Sequence, residues 1–557
     1  MTEEARPLLK ETGGGPTVFY KGKFLYSSKD PQAAGRRLAA EARVLPSSLV
    51  FIPSFGLGYG VRELLERLPP DCHILCVERD PALMFLAEER ALPGFRGEAR
   101  LTVIQAGDLL PVQQALARLS PGSFRRVVRL DLCGAARLYP EFYREVESYL
   151  AREIRVYWQN KMTLIHLGLL YVRNLFANLP LLPRARDLAG LFLDRPLIVV
   201  GAGPSLPRTL PLVRELHGRA AVLAVDTALP FLLASGVVPD FVIALEPQFV
   251  NIHDFSVSGD WTVPLLADVC SSPQVIRLCL QKGKSPVYFF SSAFHPLALW
   301  ERLTNAGLLP LAIPPLGSVG VAAVHVALRL TRSPVLLAGL DFSYPFGRAH
   351  APGSPGDRRD LATTDRLHAL GQAEFLSLRE RPLVSLAGKG GGRVESDLIL
   401  SSYAQNLNAV IGGERRVFDL NPFGLPLGAP LAATKEAVVA ALAGTAAGDG
   451  RAREETAGSR PAAWRADTVR DFLESEKTIV GQMIEVLAEA VAPDRPAAGV
   501  LDEDRYRLLR RADYAWFHLA GKTTLPKFTK ASAAQALLAG RFLLDRIGRA
   551  EASLPAD

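Results

Sequence analysis

Between residues 48 and 130, short apolar runs alternate with stretches whose apolar positions recur every three to four residues. SLVFIPS, HILCVE, RLTVIQA and RVVRLDL read as buried strands, whereas VRELLERL and ALMFLAEE carry helical periodicity. A second series runs from PLIVV at 196–200 through AAVLAVD, DFVIALE, VPLLAD, PVYFFS and SPVLLAGLD. Strands alternating with helices imply βαβ units, so the pattern predicts two tandem α/β domains with parallel sheets. Beyond 463, Val469, Phe472, Leu473, Ile479, Val480, Met483, Ile484 and Leu487 fall largely on one helical face. Two more helical stretches, near 500–520 and 531–549, complete a C-terminal helical bundle.

These elements divide the chain into five parts. Residues 1–140 form an N-terminal α/β domain that begins with a polar appendage carrying the hairpin-like YKGKFLYSS, and 141–185 is an amphipathic bridging segment. Residues 186–443 form a central α/β domain, 444–463 a Gly-, Ala- and charge-rich linker, and 464–557 the helical domain. The length of 557 residues excludes a single core, at about 100–200 residues per domain.

Charge and cysteine content narrow the function classes. An excess of 7 positive charges over 557 residues is too dilute for a nucleic-acid footprint, so no nucleic-acid partner is expected. The five cysteines sit mostly in apolar runs and read as reduced, which points to the cytoplasm. Cys72, His73 and Cys76 form C-H-x-x-C without a second ligand pair, and no metal is expected there. MTEEARPLLK has no apolar signal core. The stretch 321–340, broken by His325, Arg329, Arg332 and Pro334, reads as a helix followed by a buried strand, and no stable membrane insertion is expected.

Two glycine loops carry candidate chemistry. In SFGLGYG at 54–60, Gly56, Gly58 and Gly60 lie between a strand and a helix, and the next strand ends in Glu78. That arrangement resembles the first motif of S-adenosylmethionine-dependent methyltransferases, in which N–H groups meet a nucleotide and the acid meets a ribose. The same glycines also suit a tight turn with no ligand, and no downstream methyltransferase motif follows. In GAGPSL at 201–206, Gly201, Gly203, Pro204 and Ser205 join a buried strand to a helix, but Leu206 stands where a dinucleotide fold needs its third glycine. The loop therefore suits one anionic group, such as a nucleotide phosphate, better than a nicotinamide or flavin cofactor.

Strand ends add further candidates, because parallel sheets bind ligands beyond their carboxyl ends. AAVLAVD delivers Asp226 and Thr227, PDFVIALEPQ delivers Glu246 and Gln248, and PVLLAGL delivers Asp341 ahead of a polar loop with Tyr344, Arg348 and His350. Capping of the following helices is the alternative reading of the first two sets.

GAGPSL, AVDTALPFLLASGVVPDFVIALEPQ, GSVGVAAVHVALRL and LAGLDFSYPFGRAHAPGS, in that order, resemble the motility-associated factor (Maf) family of bacterial flagellin glycosyltransferases. VESDLILSSYAQNLNAVI and VFDLNPFGLPLGAP extend the likeness over about 190–430. The resemblance implies an N-terminal Rossmann-like domain, a sialyltransferase-like catalytic domain and a helical C-terminal domain. It also implies transfer of a nonulosonic acid, of the pseudaminic or legionaminic type, from a CMP-activated donor to Ser or Thr hydroxyls of flagellin, with no metal or other cofactor required. Carried onto this chain, it assigns the nucleotide sugar to Gly201, Gly203, Pro204, Ser205, Asp226, Thr227, Glu246, Gln248, Gly317 and Ser318. His350 is the expected base and Tyr344 the donor to the departing phosphate, with Asp341 as a further catalytic candidate and His295 and His325 as competitors for the base.

Two other classes share part of the pattern. Archaeal 6-hydroxymethylpterin diphosphokinases are similar around GxGPSL, but their D-L-D-G acidic pair for Mg-ATP is Leu245-Glu246-Pro247-Gln248 here. A non-catalytic flagellin-binding module is the third possibility, with the helical C-terminus as its docking surface.

Overall fold

The computed structural model describes residues 6–256, 263–281, 286–292, 297–367, 369, 371–442, 461–492, 503–517 and 529–554. Most of the linker at 444–463, and His295, lie outside these residues. The chain forms two compact units, Met1–Met162 and Thr163–Asp557, and the helix Pro140–Asn178 continues from the first into the second.

The first unit opens with an antiparallel sheet of β1 (Leu8–Lys10), β2 (Thr17–Tyr20) and β3 (Lys23–Phe24). Its core is a parallel sheet of β4 (Ser48–Pro53), β5 (His73–Glu78), β6 (Leu101–Gln105) and β7 (Arg126–Arg129), in the order β6-β5-β4-β7. Alternation along β4 and β5 sends Leu49, Phe51, Leu75 and Val77 into one apolar cluster. Val50, Ile52, Ile74 and Cys76 point into another on the opposite face. Both faces are covered, which is why these strands read as continuous apolar runs.

The second unit is built on one parallel sheet. Its strands are β8 (Arg186–Asp187), β9 (Leu197–Val200), β10 (Ala221–Val225), β11 (Phe241–Ala244), β12 (Leu265–Asp268), β13 (Val287–Ser292), β14 (Leu311–Ile313) and β15 (Val335–Ala338). A small hairpin of β16 (Val384–Ala387) and β17 (Arg393–Ser396) precedes β18 (Val417–Asp419). The sheet order is β14-β13-β12-β11-β10-β9-β15-β18, with β8 also pairing with β13. The helix Val319–Leu330 is buried along Gly320–Val324 and packs on β9, β10 and β15.

The helices Ala466–Val491, Glu503–Arg511 and Lys530–Ala552 belong to this same unit. Glu476, fully buried on the first of them, accepts hydrogen bonds from Arg302 at 2.5 and 2.8 Å and from the Tyr514 hydroxyl at 2.8 Å. Arg302 lies on the helix Ala298–Asn305 between β13 and β14, so this ion pair ties the C-terminal helices to the sheet. Among the described residues, one helical stretch, Ile165–Arg184, is long and apolar enough to cross a membrane, and half of it is buried within the protein.

Candidate functional site

β9 pairs with β10 on one side and β15 on the other, so strand order reverses there and a crevice opens beyond the carboxyl ends of β9 and β15. The loop Gly201–Ser205 leaves β9 and Gly339–Asp341 leaves β15, and the two run against each other. Gly201 N–H donates to Ala338 O and Gly203 N–H to Gly339 O, both at 2.8 Å. Glycine is required by this approach, since a Cβ on Gly203 would stand 2.6 Å from Gly339 O.

The crevice is a cleft of about 320 Å³. Of the residues named from sequence, Gly201, Gly203, Pro204, Asp226, Thr227, Glu246, Gly317, Ser318, Asp341 and His350 line it. Ser205 is buried behind the wall, and Gln248 and Tyr344 lie outside the lining.

Three N–H groups of the Gly201–Ser205 loop expected to face a ligand, those of Gly201, Gly203 and Ser205, are instead bonded within the protein. Ser205 N–H donates to Asp341 Oδ2 at 2.9 Å, the Ser205 hydroxyl donates to Asp341 Oδ1, and Leu206 N–H donates to Gly203 O at 3.0 Å. Asn421 Nδ2 also donates to Asp341, whose carboxyl burial holds above the ordinary aspartate range. The anion at this helix start is thus the chain's own carboxylate. Asp341 organises the loop rather than standing free as a catalytic group.

A different helix start remains open. The first turn of an α-helix has N–H groups with no intrahelical acceptor. At Val319–Leu330 the N-cap Ser318 provides no side-chain hydrogen bond to them. Gly317, Ser318, Val319 and Gly320 all line the cleft, so the positive end of the helix dipole lies at it.

His350 is carried over the loop by its neighbour, because Ala351 N–H donates to Ala202 O at 2.8 Å. His350 is exposed by area, yet the surrounding protein desolvates it and lowers its pKa from 6.5, a shift that favours the uncharged ring. Tyr344 is tied up elsewhere: its hydroxyl donates to Asp397 Oδ2 at 2.6 Å and accepts from Arg381 at 2.6 Å. Burial and Asp397 push that phenol up to about 12. His325 sits mid-helix, half-buried, with Nε2 unpartnered among the described residues and its pKa lowered by burial.

Behind Asp226 lies a buried pair that sequence reasoning missed, Asn251 and Asp254, neither of which lines the cleft. Asp226 accepts from Thr227 N–H at 2.8 Å and from Asn251 Nδ2 at 2.9 Å, and Asn251 also donates to Asp254 at 3.0 Å. Burial and the neighbouring Asp226 push Asp254 up to about 7. Glu246 is exposed at the cleft mouth, but the walls around it, with Asp226, push it up to about 7 as well. Tyr403, from the helix Leu398–Ile411, closes the cleft beside Gly317. Tyr403 lies in SSYAQNLNAVI, where an aromatic on an otherwise ordinary amphipathic helix gives little signal. Asn251 and Asp254 follow Gln248 by a few residues and could have been found as polar positions beyond a strand end.

The first glycine loop is filled by the chain itself. The Tyr26 hydroxyl accepts from Leu57 N–H at 2.8 Å, and Gly134 N–H donates to Leu25 O at 2.8 Å. A Cβ on Gly60 would stand 2.5 Å from Gly35 O, and one on Gly58 3.1 Å from the Phe55 ring. A Cβ on Gly56 would overlap the Tyr26 hydroxyl, so the three glycines are explained by close packing. Glu78 is fully buried, accepts from the Ser54 hydroxyl at 2.5 Å and from Asp80 N–H at 3.1 Å, and is pushed up to about 7 by burial. It turns into the protein, away from any ribose. Cys72 and Cys76 are buried thiols, His73 Nε2 pairs with the Thr102 hydroxyl at 2.8 Å, and the described residues hold no metal-ligating cluster of three.

Residues 172–347 match the family described as 6-hydroxymethylpterin diphosphokinase MptE-like. An uncharacterized protein of Treponema pallidum is 34% identical over 427 residues, covering 76% of this chain and 73% of that protein. The chain belongs to this MptE-like family. The fold is shared with the Maf glycosyltransferase of Magnetospirillum magneticum AMB-1, with a TM-score of 0.50 at 17% identity over 98% of this chain and 86% of that one. A shorter likeness, 32% over 119 residues, is to ribosomal RNA small subunit methyltransferase H of Bordetella petrii and covers 21% of this chain and 31% of that protein. The MptE-like match spans β9 to β15 and therefore contains both loops of the crevice, the Asp226 wall and the open helix start.

Proposed function

We propose that this chain is a glycosyltransferase that moves a nonulosonic acid from a CMP-activated donor to Ser or Thr hydroxyls of a protein acceptor, flagellin being the acceptor the family resemblance implies. The observation that carries the reading is a switch-point cleft lined both by the open start of Val319–Leu330 and by His350, a histidine whose pKa burial lowers. In this reading the CMP phosphate lies against the N–H groups at Gly317–Gly320, with Gly201–Pro204 as the wall beneath the nucleotide. His350 takes the acceptor's proton as its oxygen bonds to the anomeric carbon. The bond from that carbon to the phosphate oxygen breaks, and CMP leaves with the negative charge met by the helix start. Inversion follows from attack opposite the leaving group. The shared Maf fold supports the reading.

A Mg-ATP-dependent diphosphokinase is the second reading, favoured by the description of the matching family and by the two carboxylates, Asp226 and Glu246, on the cleft wall. Calorimetric titration of the full chain with CMP and with ATP, each with and without magnesium, separates the two. CMP binding that is indifferent to magnesium supports the transferase. Magnesium-dependent ATP binding without CMP binding replaces it with the diphosphokinase, and no binding of either leaves a non-catalytic binding protein.

A further inference from the structure

A second cavity, of about 340 Å³, lies among three helices of the second unit: the end of Pro140–Asn178, the start of Pro273–Gln281, and the last turns of Lys530–Ala552. Arg173, Arg277, Arg546 and Arg549 all line it, with Gln274 and Ser553, and no carboxylate does. Like charges are costly to gather unless an anion joins them. Arg546 Nε is buried without a hydrogen-bond partner among the described residues, and the Asp545 carboxylate stands 3.6 Å from it. The same Asp545 pairs with Arg549 at 3.0 Å, so one carboxylate serves two of the four guanidiniums. Among the described residues Arg173 and Arg277 have no ion pair. Arg277 reaches only Ala177 O at 3.5 Å, and Arg173 donates to Asn174 Oδ1 at 2.9 and 3.2 Å.

The wall is held in place. Asn174 is fully buried, and its amide donates to Pro247 O at 2.8 Å and Cys270 O at 3.1 Å, which fixes the oxygen that Arg173 grips. The Ser272 hydroxyl donates to Gln274 Oε1 at 3.0 Å, which turns the Gln274 NH2 group away from Ser272. Burial and the charge of Arg546 both lower the Arg173 pKa, the direction expected where cations converge without a counter-ion.

We infer that this cavity binds a small molecule bearing two or more phosphate charges, held by the forked donors of Arg173, Arg277, Arg546 and Arg549. The site is distinct from the cleft at Gly201–Ser205, shares no lining residue with it, and does not depend on what the cleft does.

The test is calorimetric titration of the full chain with pyrophosphate, with hydrogen exchange to locate the bound ion. Pyrophosphate is expected to bind, to protect 273–281 and 542–553, and to lose about tenfold or more in affinity in Arg277→Gln/Arg549→Gln. Both side chains are exposed, and the single variant Arg277→Gln, expected to lose about threefold, serves if the double variant does not fold. No binding, an affinity unchanged in the variants, or protection confined to 317–321 overturns the assignment. So does binding of a poly-glutamate peptide in place of pyrophosphate.

Discussion

Ser205 gives both its backbone N–H, at 2.9 Å, and its hydroxyl to the carboxylate of Asp341, 136 positions further along the chain. This contact clamps the two loops that leave β9 and β15. Replacing Asp341 with Ala leaves the buried Ser205 N–H and the Asn421 amide without an acceptor, at about 1–3 kcal/mol each. The expected result is a loss of that order in urea denaturation, together with loss of nucleotide binding. A variant within about 0.5 kcal/mol of the parent would mean that the clamp contributes nothing.

His350→Ala is expected to lower transfer by about 10²–10⁴-fold, the usual contribution of a general base, while leaving the thermal melt and CMP affinity in place. Tyr344→Phe, in contrast, removes the donor to Asp397 and should register mainly as lost stability. Equal activity in the parent and His350→Ala would remove the histidine from the reaction.

The pH profile provides an independent check on the same residue. Protonation disables a histidine base as pH falls, and desolvation lowers this pKa from 6.5. The acid limb of kcat/KM should therefore fall below pH 6.5, in steady-state assays from pH 5 to 9. A midpoint above 6.5 is incompatible with His350 as the titrating group.

Glu78 makes stability depend on pH in the opposite sense to an ion-paired carboxylate. Its folded pKa, about 7, lies above the ordinary value of 4.5, so the native state holds a proton that the unfolded chain releases. The stability this group supports is full below pH 4.5 and falls as pH rises through 7, by on the order of 3 kcal/mol at 1.36 kcal/mol per pKa unit. Glu78→Gln should flatten that decline in denaturation curves collected between pH 4 and 8. An identical slope in both proteins would contradict the burial argument.

Tyr26→Phe removes the acceptor for the buried Leu57 N–H, at a cost of about 1–3 kcal/mol. Because the first glycine loop is packed against the protein's own N-terminal segment, CMP affinity should not change. A loss of CMP binding with the fold intact would reopen that loop as a nucleotide site.

Much of this architecture is legible in the sequence, for a physical reason. Strands buried on both faces, such as LIVV at 197–200 and VLLA at 335–338, announce themselves as apolar runs, and the cleft follows because parallel sheets place loops at one end. The short edge strand β14, with only Ile313 buried, and the half-exposed β16–β17 hairpin lack that signal. Nor can local pattern tell where an N–H goes: GAGPSL suits phosphate binding equally well whether its acceptor is a ligand or Asp341. The four cleft-distant arginines come from 173, 277, 546 and 549, and only the packing of three helices makes them neighbours.

The placement of β9 between β10 and β15 also bears on how the protein is made. A chain growing from its N-terminus can pair β9 through β14 in sequence, yet one wall of the cleft is absent until β15 docks on the other edge of β9. Asp341, which holds the Gly201–Ser205 loop, arrives with that last wall. Nascent chains that stop short of it therefore carry every strand from β9 to β14 with the cleft still unformed, and β18 has yet to join the far edge of β15.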